Sequence, residues 1–107
     1  MQADRIFAAL ASTQRRKILA YLSKTALTTS ELAARFGMTA PSMSRHLSVL
    51  ENAELVTSRR EGQRVLYQLN SDNLVNTLTG FALEICPVAG PLKRESAALA
   101  KRRNTTG

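Results

Sequence analysis

TAPSMSRHLSVLENA, residues 39 to 53, is the stretch on which the reading of this chain turns. Met43, Leu47 and Leu50 recur at i, i+4 and i+7, one face of a 3.6-residue helix, whereas Ser42, Ser44, Arg45 and Ser48 fall on other faces. One face is held and another is offered. A serine hydroxyl adds a donor and an acceptor without bulk, and an arginine can bond a guanine at two points, so the outer face suits close approach to base edges. The pattern predicts a DNA recognition helix. Thr39 is placed to cap it, and Pro41 sits in its first turn, where a missing N–H is harmless.

Just upstream, SELAARF (residues 30 to 36) reads as a short helix with Leu32, Ala33 and Phe36 inward. Thr28-Thr29-Ser30-Glu31 has the spacing of a capping box, and Gly37 suits the left-handed residue that follows a last turn. Two short helices joined by a tight glycine-containing turn form a helix-turn-helix, a pattern also found in helical hairpins that never touch DNA. Before it, TQRRKILAYLSK (13 to 24) is a helix capped by Ser12 or Thr13, with Ile18, Leu19 and Leu22 inward. Arg15, Arg16 and Lys17 fall in its first turn, where the helix dipole disfavours cations, so an anionic partner or solvent should compensate. ADRIFAALA (3 to 11) is a first helix with Ile6, Phe7 and Leu10 on one stripe.

Downstream, the period changes. LVTSRREGQRVLYQL (55 to 69) is two β-prone runs around Glu61-Gly62. With that pair as the turn, Arg60 opposes Gln63, Ser58 opposes Val65 and Val56 opposes Tyr67. Arg59, Arg60 and Arg64 crowd the tip, a repulsive arrangement that a phosphate backbone explains better than stability does. A hairpin after a recognition helix makes a winged helix. Asn70-Ser71-Asp72 then caps DNLVNTLTGFALEI (72 to 85), whose Leu74, Val75, Leu78, Phe81, Ala82 and Ile85 form a broad apolar stripe. Since the earlier helices already supply a core, the stripe suits packing against a second copy together with the first helix; an ordinary intramolecular core is the alternative. Cys86-Pro87 and Gly90-Pro91 should break this helix, leaving a basic segment that is either a sixth helix or disordered.

The expected architecture is mainly α with a small β-hairpin, a winged helix-turn-helix of four helices, two strands and a fifth helix. Residues 1–87 would form the DNA-binding and dimerisation domain, and 88–107 a basic C-terminal extension. At 107 residues there is room for one core, and with 5% aromatic residues and no tryptophan that core must be mainly aliphatic. A net charge of +7 suits a polyanion, although solubility, ribosomal association or a membrane-surface habit would give the same sign. The charge is uneven: residues 91 to 107 carry +4 and the rest +3. A single cysteine, Cys86, cannot form an intramolecular disulfide, and no early apolar run is long enough for a signal-peptide core, so a cytoplasmic location is expected. Scattered carboxylates, no paired nucleophile and no glycine-rich phosphate loop argue against an enzyme.

Taken together, ALASTQRRKILAYL, TSELAARFGMTAPSMSRHLSVLENAELV and RREGQRVLYQL resemble the ArsR/SmtB family of bacterial winged-helix repressors, over about residues 4 to 85. The S-x-H-L recognition helix and the R-x-G-Q wing stand at the family's separation. The resemblance implies a homodimer that binds double-stranded operator DNA and leaves it on a signal. It also implies that Ala40, Pro41, Ser44 and Arg45 reach the major groove. Thr39, Ser42 and Ser48 would lie near phosphates, and Arg59, Arg60, Gln63 and Arg64 would touch the backbone or minor groove. Ile6, Phe7 and Leu10 with Leu74, Leu78, Phe81 and Ile85 would form the dimer interface.

The chain departs from that family at its sensing sites. The cysteine pair of the third-helix metal site is replaced by Glu31-Leu32-Ala33-Ala34-Arg35, and residues 72 to 85 hold no histidine for the last-helix site. The likeness is therefore to short members without metal sites, and no metal or cofactor is expected. His46, the only histidine, could supply one ligand where zinc wants about four. It reads as structural or DNA-adjacent. Cys86 would be a thiol or metalloid sensor if it met its symmetry mate, and is otherwise a small apolar residue. Two rivals stand beside the operator-binding repressor: a derepressor acting through Cys86, and a winged helix that binds a protein partner. RNA binding is disfavoured by the lack of an aromatic platform.

Overall fold

A computed structural model describes residues 2 to 106, with the side chains of residues 2, 87–93 and 104–106 outside the description. The elements are α1 (Gln2–Leu10), α2 (Thr13–Leu22), β1 (Leu27–Thr28), α3 (Thr29–Phe36), α4 (Ala40–Asn52), β2 (Val56–Glu61), β3 (Arg64–Leu69) and α5 (Ser71–Thr106). They fall into two compact units, Met1–Leu74 and Val75–Gly107.

The first unit is built on an aliphatic core. Ile6, Ile18, Leu32, Met43, Leu47, Leu50, Leu55 and Val56 are its largest fully buried side chains, contributed by α1 to α4 and the start of the hairpin. Each such burial is worth about 1.5–3 kcal/mol. Met43, Leu47 and Leu50, the face expected to be held, are all at 0% exposure.

Local chemistry marks where each helix begins. Ser12 caps α2 by accepting from the Arg15 N–H. At α3 the capping box is complete: Thr28 Oγ1 accepts from the Glu31 N–H at 3.1 Å, and Glu31 Oε1 from the Thr28 N–H at 2.9 Å. Those bonds, the backbone one foremost, hold the Glu31 carboxyl below its ordinary pKa. Gly37, at φ +63, ends α3, and the Met38 N–H reaches back to the Ala33 carbonyl at 2.9 Å. Thr39 Oγ1 accepts from the Ser42 N–H at 3.2 Å to start α4, with Pro41 in the first turn.

The α4 terminus repeats the α3 device with an unusual residue. Glu54 takes the left-handed conformation, φ 59, so that its N–H bonds the Glu51 carbonyl and the Leu55 N–H bonds the Leu50 carbonyl, each at 2.9 Å. A non-glycine residue there costs roughly 1 kcal/mol. The turn is held from outside: Asn70 Nδ2 and Asn73 Nδ2 donate to the Glu54 carbonyl at 3.0 and 2.9 Å, and the Asn70 N–H donates to the Leu55 carbonyl at 2.8 Å. Glu54→Gly is expected to stabilise the fold by about 0.5–1 kcal/mol, read as a higher urea midpoint at unchanged slope. A lower midpoint would mean that the turn is unstrained.

The hairpin differs from expectation in its turn. Gly62-Gln63, not Glu61-Gly62, makes the loop, so Glu61 pairs with Arg64, Arg60 with Val65, Ser58 with Tyr67 and Val56 with Leu69. Gly62 is at φ 65, the first-position requirement of a two-residue turn of the II′ kind; the expected turn would have forced that conformation on Glu61. The register moves by two residues, which leaves every side chain on its assigned face. A strand the sequence reading lacks, β1, adds to the far side of β3 through Leu27 opposite Tyr67 and Thr28 opposite Leu66, giving the order β1-β3-β2. Two residues are too short to show a period.

Two further expectations are corrected. α5 does not break at Cys86-Pro87 or Gly90-Pro91 but runs to Thr106, so there is no separate sixth helix. An interior proline costs roughly 3 kcal/mol, and good helix formers such as those in ESAALAK, residues 95–101, offset it. Ile6 is 0% exposed, spent on the core, and so has no surface to give a dimer interface.

Candidate nucleic-acid interface

The candidate interface lies on the exposed part of α4, away from Met43, Leu47 and Leu50. Ala40, Pro41, Ser44, Arg45 and Ser48 are all exposed there, while Ser42 is half-buried. Thr39 is exposed, but its hydroxyl already serves as the cap. Among the described residues, no hydrogen bond or ion pair engages the Arg45 guanidinium. It stands as an uncommitted five-donor fork beside two serine hydroxyls.

The wing is less uniformly positive than its sequence suggests. Glu61 lies 3.7 Å from Arg59 and 4.0 Å from Arg64, and Arg59 Nη1 donates to Gln68 Oε1 at 2.9 Å. These exposed pairs are worth little in stability, about 0–1 kcal/mol, but they relieve the repulsion at the tip. Arg60 points to the other face of the strand and has no such partner among the described residues. If the wing tracks DNA, Arg60→Ala should therefore flatten the dependence of log affinity on log salt by about one unit for each phosphate no longer neutralised, whereas Arg59→Ala should change it less. Equal slopes in wild type and Arg60→Ala would remove the wing from the phosphates.

Sequence reasoning missed three features of this surface. Gln63 and Arg64 do not stand alone: with Thr28, Thr29, Ser30 and Val65 they line a cleft of about 350 Å³ at the start of α3. The capping-box signal locates that helix start, but nothing in the spacing brings the wing tip to it. Secondly, α4 is braced against the wing by Ser58 Oγ donating to Glu51 Oε2 at 2.8 Å. Thirdly, Arg15 and Arg16 find acceptors within the fold itself. Arg15 Nε and Nη2 donate to the carbonyls of Ala9 and Ala8 at 2.8 and 3.2 Å, and Arg16 Nη1 donates to that of Leu10. These two side chains of α2's first turn reach the end of α1, whose dipole favours the cations that α2's own disfavours.

His46 is half-buried on the flank of α4, with Nδ1 3.4 Å from Arg15 Nη1. Burial first, and the Arg15 charge second, hold its pKa below the ordinary histidine value. No group of three or more histidine, cysteine, aspartate or glutamate residues gathers among the described residues, and no helix among them is long and apolar enough to cross a membrane. In the first unit Phe7 is 38% exposed, with Leu10 and Leu74 half-buried against the core. In the second, Leu78, Phe81, Ile85 and Cys86 are exposed.

Comparison with known proteins adds an independent line. The family described as bacterial regulatory protein, arsR family, matches residues 12–58. Transcriptional repressor SdpR of Bacillus subtilis is 35% identical over 75 residues, which span 70% of this chain and 83% of that protein. An ArsR-like transcriptional regulator from Rhodococcus sp. RHA1 superposes with a TM-score of 0.75 at 25% identity, covering 94% of this chain and 91% of that one. The homodimeric winged helix-turn-helix DNA-binding domain Mb0332 from Mycobacterium bovis gives 0.66 at 29% identity, with 77% of each chain covered.

Proposed function

This chain belongs to the arsR family of bacterial regulatory proteins, and we propose that within it the protein is a homodimeric repressor of a palindromic operator. It is a DNA-binding transcriptional regulator with a winged helix-turn-helix fold, and not an enzyme. The observation that carries the finer reading is the division of α4, with Met43, Leu47 and Leu50 sealed in the core and Ser44 and Arg45 exposed on another side. Ala40, Pro41, Ser44 and Arg45 meet bases in the major groove; Thr39, Ser42 and Ser48 lie near phosphates. Arg59, Arg60, Gln63 and Arg64 follow the backbone, Arg60 with the least to give up.

Two copies carry +14, twice the +7 of one chain, and place two recognition helices about 34–36 Å apart, one turn of the duplex. Leu74, Leu78, Phe81 and Ile85 on α5 are the residues proposed to meet the second copy, as are Phe7 and Leu10 on α1. The homodimeric state of Mb0332 supports that assembly. The protein acts where bacterial DNA is, in the cytoplasm. Residues 88–107 serve as a basic extension to this domain. Selection from a random duplex pool, followed by mobility shift on the recovered sequences, tests the reading. An imperfect palindrome bound by a dimer is expected; recovery of unrelated sequences bound equally well would sink it.

A further inference from the structure

On the flank of α4 turned toward the first two helices, one side chain ties three elements together. Arg15, from the first turn of α2, bonds the Ala8 and Ala9 carbonyls at the end of α1 and sets Nη1 3.4 Å from His46 Nδ1 on α4. Guanidinium has donors only, so in this contact Nδ1 must accept, and the proton of the neutral ring belongs on Nε2. Protonating His46 would turn the acceptor into a donor and set a second positive charge against the first.

We propose that Arg15 and His46 form a latch that holds α4 at the angle needed for sequence-specific binding, and that protonation of His46 opens it and releases specific DNA. Arg15 is thus a positioning residue, held by α1 and holding α4. The proposal rests on reading α4 as the recognition helix. Charged groups on the two elements packed against this flank are Asp4 and Arg5 on α1 and Arg15, Arg16 and Lys17 on α2, and it is Arg15 whose charge bears on the ring. Arg16 is turned to the Leu10 carbonyl and to Thr13 Oγ1 at 3.2 Å. The tie acts where it matters: His46 follows Arg45 directly, so a change of tilt at the ring moves the arginine that reads the groove.

The sign of the effect separates this latch from simple charge. A charge gained near DNA strengthens binding to any duplex by releasing counterions, whereas an opened latch weakens binding to the chosen sequence. Because the folded value is depressed, the unfolded chain binds more protons between the folded pKa and about 6.5, so folding stability should be lost as pH falls through that interval.

Two measurements need no DNA. Nitrogen-15 NMR of the imidazole near neutral pH should show the Nε2–H tautomer, and the acid loss of stability should be smaller in His46→Gln, whose Oε1 accepts from Arg15 without titrating. With a duplex selected from a random pool by the wild-type protein at neutral pH, wild-type affinity should fall on acidification. That fall should approach about tenfold per pH unit per protomer, while a scrambled duplex is bound no more weakly. The His46→Gln profile should be flat, and Arg15→Lys, which keeps the charge and loses the fork, should bind the selected duplex more weakly than wild type near neutral pH, where the latch is closed. An Nδ1–H tautomer, a wild-type profile that matches the glutamine variant's, or tighter specific binding in acid overturns the latch. If no duplex is selected at all, the DNA-binding reading fails and the affinity clause with it, and the tautomer and stability measurements still decide whether the latch exists.

Discussion

Replacing Arg45 with alanine is expected to weaken operator binding by about 1–3 kcal/mol, roughly five- to 150-fold, and to relax the base preference at one position of each half-site. Arg45 is exposed, without a partner among the described residues, and opposite the buried Met43, Leu47 and Leu50. Its removal therefore costs the fold almost nothing, and a change in affinity reports directly on the bonds between this guanidinium and DNA. Arg45→Lys should recover some affinity but little of the base preference, because an ammonium cannot make the two parallel bonds that a guanidinium makes to guanine. Quantitative mobility shift across single-base variants of the selected site measures both. Unchanged affinity together with an unchanged preference would take the recognition role away from α4.

The second large effect lies on the other side of the same helix. Leu47→Ala removes a side chain at 0% exposure from the centre of the core, and such truncations cost about 2–5 kcal/mol because the cavity left behind collapses only in part. Against a total stability of about 5–15 kcal/mol for a domain of this size, that is about a third at the middle of both ranges. The melting temperature should fall by more than about 10 °C. Specific DNA affinity should fall with it only where the unfolded fraction becomes appreciable. A loss of affinity at low temperature, with the protein still folded, would mean that Leu47 sets the helix angle as well as holding it.

The two predictions divide α4 into halves that are distinguishable from spacing alone. The i, i+4, i+7 pattern names the buried face, the capping box and Gly37 name the ends of α3, and the alternation after Leu55 names the wing. These signals are local, carried within a few residues. What spacing does not reveal depends on residues far apart. β1 has two residues and acquires its identity only by lying beside β3. The pattern misplaces the hairpin turn by one residue, since Gly62 serves the first central position as well as the second, and only the positive φ decides. Arg15 and Arg16 look unfavourable in their own helix because the end of α1, against which they sit, is not visible in the spacing of α2. The contact from Arg15 to His46 crosses 31 residues. Prolines 87 and 91 read as stops, whereas the flanking residues propagate the helix through them.

The turn at Glu54 carries one more consequence. Its carbonyl is gripped by Asn70, just before α5, and by Asn73 in its first turn, so α4 and the wing meet at a joint held from outside. If α4 reads bases and the wing tracks the backbone, the pair would behave like a fixed calliper: the distance from one jaw to the other would be set by the length of chain across that joint. One residue of extended chain spans about 3.3 Å, close to the rise of one base along a strand, about 3.4 Å. A single inserted or deleted residue between Ala53 and Val56 would therefore reset the jaws by one step of the ladder they measure, and change which sequences fit without altering any group that touches them.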